Sequence, residues 1–423
     1  MLVRVERVLT LNDLLPVEVI WLIFSWVFDT ADSWNDFVRR RIKCRGVCAH
    51  WRVVIRDYPR FWSTIVVARH TTQEFFQVCV ERSKAVPIQL TVDASDHGCL
   101  LEDGGSVSHL LLAQPLHFFN KMLRDVLPTC ASRVTSVRIE SDGYYNLHSI
   151  ASTLAALTLP AVASLSVGVD WVFSASPLCV FPAPSWGPVD SLACRGVLPV
   201  VGGIDAYSAL RVARITSIRG LDTISFAGFL HSLHHLHELH IANVECDETD
   251  CSLLVELVSV EILHLRYDDD SSARLFRCLR FPRLLTFTAV VSDSRMWENV
   301  SLSCAHLLPT VRHFGLACTT DNLEPPVGLW SVLTSVHTVN VAIAGPDVSR
   351  SLWRWICDNP TCWPSLCLLE LGATVRQCDV EDELNRRTFA RRVSAPGSHR
   401  GVVARSRTHS SCSVRVGNVG ESA

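Results

Sequence analysis

The sequence predicts an α/β protein, in which a small helical module precedes a long, irregular stack of strand-and-helix units. Two observations support this prediction. Apolar residues near the start of the chain recur at helical spacing. Further on, a triplet of apolar residues at positions one, four and six recurs ten times. Hydrophobic residues make up 48% of the 423 residues, which is enough to bury a large core.

The first sixty residues predict two helices and a strand. Residues 14–28 follow a helical apolar stripe, with Asp13 as a possible cap and Pro16 preorganised for the first turn. A second, basic helical segment is predicted around residues 38–55. Residues 61–67 are rich in β-branched and aromatic side chains, and we expect them to form a strand.

Four segments of this region have the order and spacing of a known module. They are Leu15 to Ile20, Ile23-Phe24, Val47 to Arg52 and Asp57 to Trp62. Together they resemble the F-box, a small three-helix module that docks on the Skp-type adaptor of cullin-RING ubiquitin ligases. The resemblance covers residues 12–66, and residues 1–11 would be an N-terminal arm. It implies an adaptor contact through Leu15, Pro16, Ile20, Ile23, Phe24, Val47, Cys48 and Trp51.

The chain departs from this module in one place and extends the resemblance in another. Residues 29–45 are polar and arginine-rich, where many F-boxes carry a leucine-rich second helix. Residues 67–132 are predicted to be a helix-and-strand connector, with alternating apolar residues over 88–92. Its helix, followed by Glu-Arg-Ser, is similar to the connector in the large F-box families of mushroom-forming fungi.

Residues 133–372 contain the ten apolar triplets. Their starts are separated by 21 to 30 residues and lie at Val134, Val162, Val189, Leu210, Leu236, Val260, Leu284, Val311, Val336 and Leu366. Helix-compatible segments lie between triplets, for example residues 226–236 and 252–258. A strand plus a helix at this period predicts an irregular leucine-rich-repeat-like α/β solenoid. An ordinary α/β domain is the alternative.

In such a solenoid, the residues beside the buried apolar ones point to a concave face. Polar side chains at these positions are candidates for binding a target protein, and they are Arg138, Arg214, His240, His264, Asn340 and Glu370. Ser166 and Thr288 belong to the same row, and Glu238 lies beside it. The alternative interpretation is a solvated sheet face, since protein surfaces are mostly polar.

The sequence predicts no catalytic residues, no metal site and no cofactor. A histidine-rich segment runs from His231 to His240, and Cys246 and Cys251 follow it, but no CxxC pair occurs there. The repeat register distributes these histidines between helix and strand faces. P-loop, GxGxxG, GxSxG and HExxH motifs are absent from the sequence.

Composition indicates the compartment and excludes some classes of partner. A formal charge of −3 argues against a nucleic-acid binder. Polar residues interrupt the N-terminal apolar stretch, so we predict neither a signal peptide nor a membrane span. The 17 cysteines lack the dense spacing of a disulfide scaffold, which predicts reduced thiols in the cytoplasm or nucleus. Residues 373–423, basic and poor in large apolar side chains, are predicted to be a disordered tail.

The sequence therefore predicts a non-catalytic substrate receptor of a Skp-cullin-F-box type ubiquitin ligase. The adaptor would bind the N-terminal helices, and through it a cullin-RING ligase, while the repeats would bind a target protein. Two alternatives stay open. One is a repeat scaffold without ligase recruitment, and the other is an enzyme with an unrecognised site.

Overall fold

The computed structural model shows a mixed α/β protein, as the sequence predicts. It describes residues 15–29, 40, 43–44, 46–68, 71–94, 116–169, 178–181, 186–201, 207–246, 255–267, 279–291, 304–318, 327–343, 355, 358–359, 363, 365–372, 400–407 and 411–418. The chain divides into two compact units. The first holds residues 1–171 and 180–189, and the second holds 172–179 and 190–423. The division therefore falls inside the segment 133–372, which the sequence predicts as one repeat domain.

The first unit opens with three helices. They are α1 (Val17–Asp29), α2 (Ala49–Asp57) and α3 (Pro59–Ser63). The predicted continuous helix over 38–55 is wrong, because Cys48 has an extended backbone with φ −159° and ψ 172°. The Cys48 Sγ accepts a hydrogen bond from the Trp51 backbone N–H at 3.4 Å, so this residue caps a helix that begins at Ala49.

The predicted strand over 61–67 is also shorter than expected. Pro59 occupies the first turn of α3, where its fixed φ favours a helix. The indole N–H of Trp62 donates to the Ile55 carbonyl at 3.0 Å, and this bond ties α3 to α2. The strand β1 therefore begins only at Thr64 (Thr64–Ala68).

A parallel sheet follows in the first unit. Its strands are β1, β2 (Ile88–Asp93), β3 (Val134–Ser141) and β4 (Ser164–Val169), paired in that order. The helices α4 (Gln73–Arg82), α5 (Leu116–Val126) and α6 (Tyr144–Ala155) separate them. Parallel neighbours need such crossovers. The last strand of the predicted F-box, the connector strand and the first repeat strands thus share one sheet.

The second unit contains a longer parallel sheet. The parallel strands, in spatial order, are β6 (Ser191–Arg195), β8 (Val212–Leu221), β9 (Glu238–Cys246), β11 (Ile262–Tyr267), β13 (Thr286–Val291), β14 (His313–Cys318), β15 (Thr338–Ile343) and β16 (Leu368–Gly372). The short strands β5 (Leu178–Phe181) and β7 (Leu198–Val201) precede β8 in the chain.

The strand register confirms that the predicted apolar triplets lie on neighbouring strands, and their second and third members are buried wherever the structure describes their side chains. Leu239 pairs with Leu263, and Leu263 pairs with Phe287, so the second triplet members form one buried row. The third members, such as Ile241 and Leu265, form a second buried row beside it. Strand residues two apart point to the same face, which explains why both rows face one core.

The segments between the strands match the prediction less well. A helix α7 (Thr223–His231) and a helix α8 (Val327–Val332) lie between strands. The helix predicted over 252–258 is wrong where the structure describes it, because Val255–Glu256 form a short strand, β10. β10 pairs with β12 (Leu279–Arg280), and this pairing satisfies backbone groups that a helix would otherwise satisfy internally.

The predicted disordered tail differs from the structure in part. Residues Arg400–Arg407 (β17) and Ser411–Asn418 (β18) form an antiparallel pair, and β18 pairs with β16. A terminal strand such as β16 offers a row of backbone N–H and C=O groups, and a returning segment can satisfy them. Residues 373–399, 408–410 and 419–423 lie outside the described part of the chain. Within that part, no helix has the length and apolar character needed to cross a membrane.

One helix cap yields a testable prediction about pH and stability. The Asp222 carboxylate accepts hydrogen bonds from the Ser225 hydroxyl at 2.8 Å and the Ser225 backbone N–H at 2.9 Å, at the start of α7. These bonds lower the pKa of Asp222. Because the folded-state pKa is depressed, the stabilisation is present above the unfolded pKa and is lost as pH falls through the folded pKa.

We expect Asp222→Ala to lower the free energy of unfolding by about 1 kcal/mol at neutral pH, and by less once the pH falls below about 4. Urea denaturation of both proteins at pH 7 and at pH 3 measures this difference. Asp222→Asn is the control, because its amide oxygen can cap at either pH. An Asp222→Ala deficit that is the same at both pH values would contradict an ionised cap.

Candidate functional site

The N-terminal helices pack through aromatic side chains. The Phe24 ring contacts the Trp51 ring edge-on, with centroids 5.0 Å apart, and Trp21 stacks on Tyr58 at 5.1 Å. The Ser25 hydroxyl lies 3.0 Å from the Tyr58 hydroxyl. These contacts fix which side of α1 faces α2, and hence which side faces solvent.

The structure separates the predicted adaptor residues into core and surface. Ile20 and Phe24 are fully buried, so both belong to the core of the helices as folded, and their contact with an adaptor stays a prediction. They face inward because the ring of Trp51 and the other core residues cover that side of α1. Pro16 and Val47 are exposed, and four others are half-buried, namely Leu15, Ile23, Cys48 and Trp51.

A set of exposed apolar residues on α1 was missed by the sequence interpretation. Leu22 and Trp26 expose 69% and 70% of their surface, and Val19 exposes 37%. The spacings of three and four residues place them on one side of the helix. We call Val19, Leu22 and Trp26 the α1 stripe. The helical spacing of these residues can be seen in the sequence. Only the burial of Ile20 and Phe24 shows that the α1 stripe is the side of the helix that faces solvent.

The second candidate surface is a row of residues in register across the sheet of the second unit. Backbone pairing aligns Arg214, His240, His264, Thr288, Gly315, Asn340 and Glu370 on consecutive strands β8 to β16. We call these residues the polar row. The sequence predicts all of them except Gly315, and their alignment is confirmed. In the first unit, Arg138 pairs in register with Ser166 in the same way.

The polar row begins with a compact group of charged and aromatic side chains. His240 and His264 stack with ring centroids 4.2 Å apart and an interplanar angle of 18°. His240 Nε2 is in close hydrogen-bonding contact with Glu238 Oε1. Arg214 Nη2 lies 3.7 Å from the same Glu238 oxygen. The side chains of Glu238 and His240 are 24% and 27% exposed, so solvent reaches the group from one side.

Two pKa shifts follow from this arrangement. The hydrogen bond from His240 lowers the pKa of Glu238, and the charge of Arg214 acts in the same direction. Burial lowers the pKa of His264, and the nearby His240 and Arg214 lower it further. At neutral pH, therefore, Glu238 is an anion and His264 is a neutral imidazole.

The rest of the polar row is more open. Asn340 is exposed, and Thr288 is half-buried. A Cβ at Gly315 would lie 2.9 Å from Thr288 Oγ1, so the glycine leaves room for the threonine side chain. In the first unit, Arg138 forms an ion pair with Glu140 at 2.6 Å and stays 58% exposed. Varied polar groups of both charges therefore line the sheet.

The histidine-rich segment does not act as one cluster. His237 pairs with Glu261 at 3.1 Å, and the rings of His231 and His234 are 5.8 Å apart. His240 instead joins His264 and Glu238 on the sheet. Ligand atoms of these three residues lie within 4.8 Å of one another. The sequence places His240 and His264 in one row with Glu238 beside it, but it does not predict that their ligand atoms converge. Cys251 lies outside the described residues.

Comparison with known proteins adds no family to this description. No protein-family model matches the chain, and no curated protein matches it. The functional interpretation therefore depends on the two surfaces themselves.

Proposed function

We propose that the chain is the substrate-receptor subunit of a Skp-cullin-F-box type ubiquitin ligase. The N-terminal helices bind the Skp-type adaptor, and the polar row binds a target protein. The α1 stripe is the observation that carries this proposal. Leu22 and Trp26 leave more than two thirds of their surface in water, at 69% and 70% exposed. Apolar surface of this kind gains free energy when a partner covers it.

The shape and charge of this surface fit a helical partner. A stripe of large apolar residues along one side of a helix is a typical contact for another helix or a helical groove. The following helices carry two exposed arginines, Arg52 and Arg60, which add positive charge to the N-terminal helices. Such charges favour a partner with acidic residues around its own apolar surface, since complementary rims speed association.

The parallel sheets support a repeat architecture for target binding. We propose that each strand with its return segment is one unit of an irregular leucine-rich-repeat-like solenoid. The intervals of 21 to 30 residues and the in-register buried rows support this view. In such a solenoid the exposed face of the sheet is the usual binding surface, and here it carries the polar row. Catalysis would come from the other ligase subunits, through proximity of the bound target.

A specific observation favours the alternative of a scaffold without ligase recruitment. Arg40 belongs to the arginine-rich segment that departs from the F-box pattern. Its Nη1 donates to the Val27 carbonyl at 2.7 Å, near the end of α1. In this segment many F-boxes carry apolar residues, whereas here Arg40 binds a carbonyl in the last turn of α1.

Binding of a purified Skp-type adaptor to the full chain tests the proposed function. We expect Leu22→Ala and Trp26→Ala each to weaken adaptor binding by roughly tenfold or more, as measured by isothermal titration calorimetry. Both side chains are exposed, so the variants should fold normally. Ile224→Ala is the matched control, because Ile224 is 61% exposed but lies in the other unit.

Two results would count against the proposal. An absence of adaptor binding by the wild-type chain would favour the scaffold alternative. Wild-type affinity in both stripe variants would show that the adaptor does not bind through the α1 stripe.

A further inference from the structure

Three side chains of metal-ligand type meet on the sheet of the second unit. We propose that Glu238, His240 and His264 bind a divalent transition-metal ion of the Zn²⁺ type. Their ligand atoms lie within 4.8 Å of one another, and all three side chains are half-buried. This proposal does not rest on the proposed ligase function, because it concerns only the chemistry of these residues.

The backbone brings the three ligands together without any special loop. Glu238 and His240 are two residues apart on β9, so their side chains leave the same face of the sheet. His264 pairs in register with His240 on the adjacent strand β11. Neighbouring strands are about 4.8 Å apart, which sets the separation of the two histidines. Paired strands hold a site more firmly than loops do.

The donor set matches the chemistry of zinc. Two imidazole nitrogens and one carboxylate oxygen form a recurrent three-residue ligand set of catalytic zinc sites, in which a fourth position stays open to water or a ligand. Side chains 24% and 27% exposed at Glu238 and His240 leave such a position accessible.

Metal binding requires a small rearrangement, which gives the proposal a structural signature. A bound ion lies in the plane of each ligating imidazole. The rings of His240 and His264 are stacked at 4.2 Å with only 18° between their planes, so one ring must tilt when the ion enters. Arg214, 3.7 Å from Glu238 Oε1, can keep its contact with one carboxylate oxygen while the other binds the ion.

The competing explanation is a purely structural hydrogen-bond network. In that case His240 orients Glu238, and His264 only covers His240. Titration with Zn²⁺ and with Co²⁺ separates the two explanations. The full chain is kept reduced with a phosphine, because free thiols also bind these ions. Thiolate ligands give Co²⁺ intense near-ultraviolet charge-transfer bands, which a site of histidine and carboxylate ligands lacks.

We expect the wild-type chain to bind Co²⁺ with visible bands and without thiolate charge transfer. Added Zn²⁺ should then displace the bound Co²⁺. His264→Asn and Glu238→Gln should each weaken this binding by more than about tenfold, since even residues outside the ligand set can cost that much. Zn²⁺ should also raise the melting temperature of the wild type but not of the variants. Nuclear magnetic resonance should show both histidine rings shifting on binding.

His237→Asn is the matched control. It removes a histidine that pairs with Glu261 at 3.1 Å on the same stretch of chain, and it should leave metal binding unchanged. Circular dichroism of metal-free His264→Asn establishes that it folds, and Glu238→Gln gives a second variant if it does not. The proposal is overturned if the wild type binds no Co²⁺, or binds it only with thiolate bands. It is also overturned if both ligand variants bind the ion as tightly as the wild type.

Discussion

Replacing Trp330 by alanine is expected to lower the free energy of unfolding by about 3–5 kcal/mol. Trp330 is 1% exposed and lies among other aromatic rings of the second unit. Its ring contacts Phe314 edge-on at 5.9 Å and Trp363 at 5.8 Å. The indole N–H of Trp363 donates to the Trp330 carbonyl at 2.9 Å. The substitution therefore removes a large buried side chain and leaves a cavity between strands and return segments.

Urea denaturation followed by circular dichroism measures this loss. Trp26→Ala is the matched control, because it makes the same substitution at a residue that is 70% exposed. We expect it to change the free energy of unfolding by no more than about 0.5 kcal/mol. Equal losses in the two variants would contradict the placement of Trp330 in the core.

Replacing Phe24 by alanine is expected to destabilise the N-terminal helices by about 3–5 kcal/mol. Phe24 is fully buried, and its edge-to-face contact with Trp51 joins α1 to α2. Hydrogen exchange of the peptides that cover α1 and α2 reports this loss locally, because each region opens with its own free energy. The backbone amides of both helices should exchange faster in the variant.

This prediction also separates a core residue from a contact residue. Phe118→Ala is the control, since Phe118 is 52% exposed in the same unit and should leave exchange in α1 and α2 unchanged. The proposed adaptor binding should be lost in Phe24→Ala together with protection from exchange, whereas Trp26→Ala should weaken that binding with its helices intact. Normal protection in Phe24→Ala would show that this residue is not part of the core.

The sequence predicts the regular part of the fold well. The triplet spacing locates the strands because residues two apart on a strand share a face, and this rule needs no knowledge of the neighbours. Leu239 and Ile241 could therefore be assigned to a core before their partners were known. Segments without a strong period were predicted less well. Residues 252–258 look helical in isolation, yet Val255 pairs with Leu279 in a strand.

The candidate sites show the same division. The sequence identified the polar row because each of its members except Gly315 is a polar residue beside a buried strand position. The resemblance to the F-box placed Ile20 and Phe24 at an adaptor contact, and the spacing of an apolar stripe does not show whether it faces a core or a partner. The sequence placed Glu238, His240 and His264 beside one another, but it did not predict that their ligand atoms lie within 4.8 Å of one another, because that depends on side-chain conformation.

The sequence by itself thus determines the α/β class, the strand positions and the polar character of one sheet face. These are local properties, set by side-chain alternation along each strand. The tertiary structure alone decides which side of α1 is exposed, where the short strands pair and which ligands meet on adjacent strands. Those features depend on contacts between distant residues, and burial or register becomes defined only when both partners are in place.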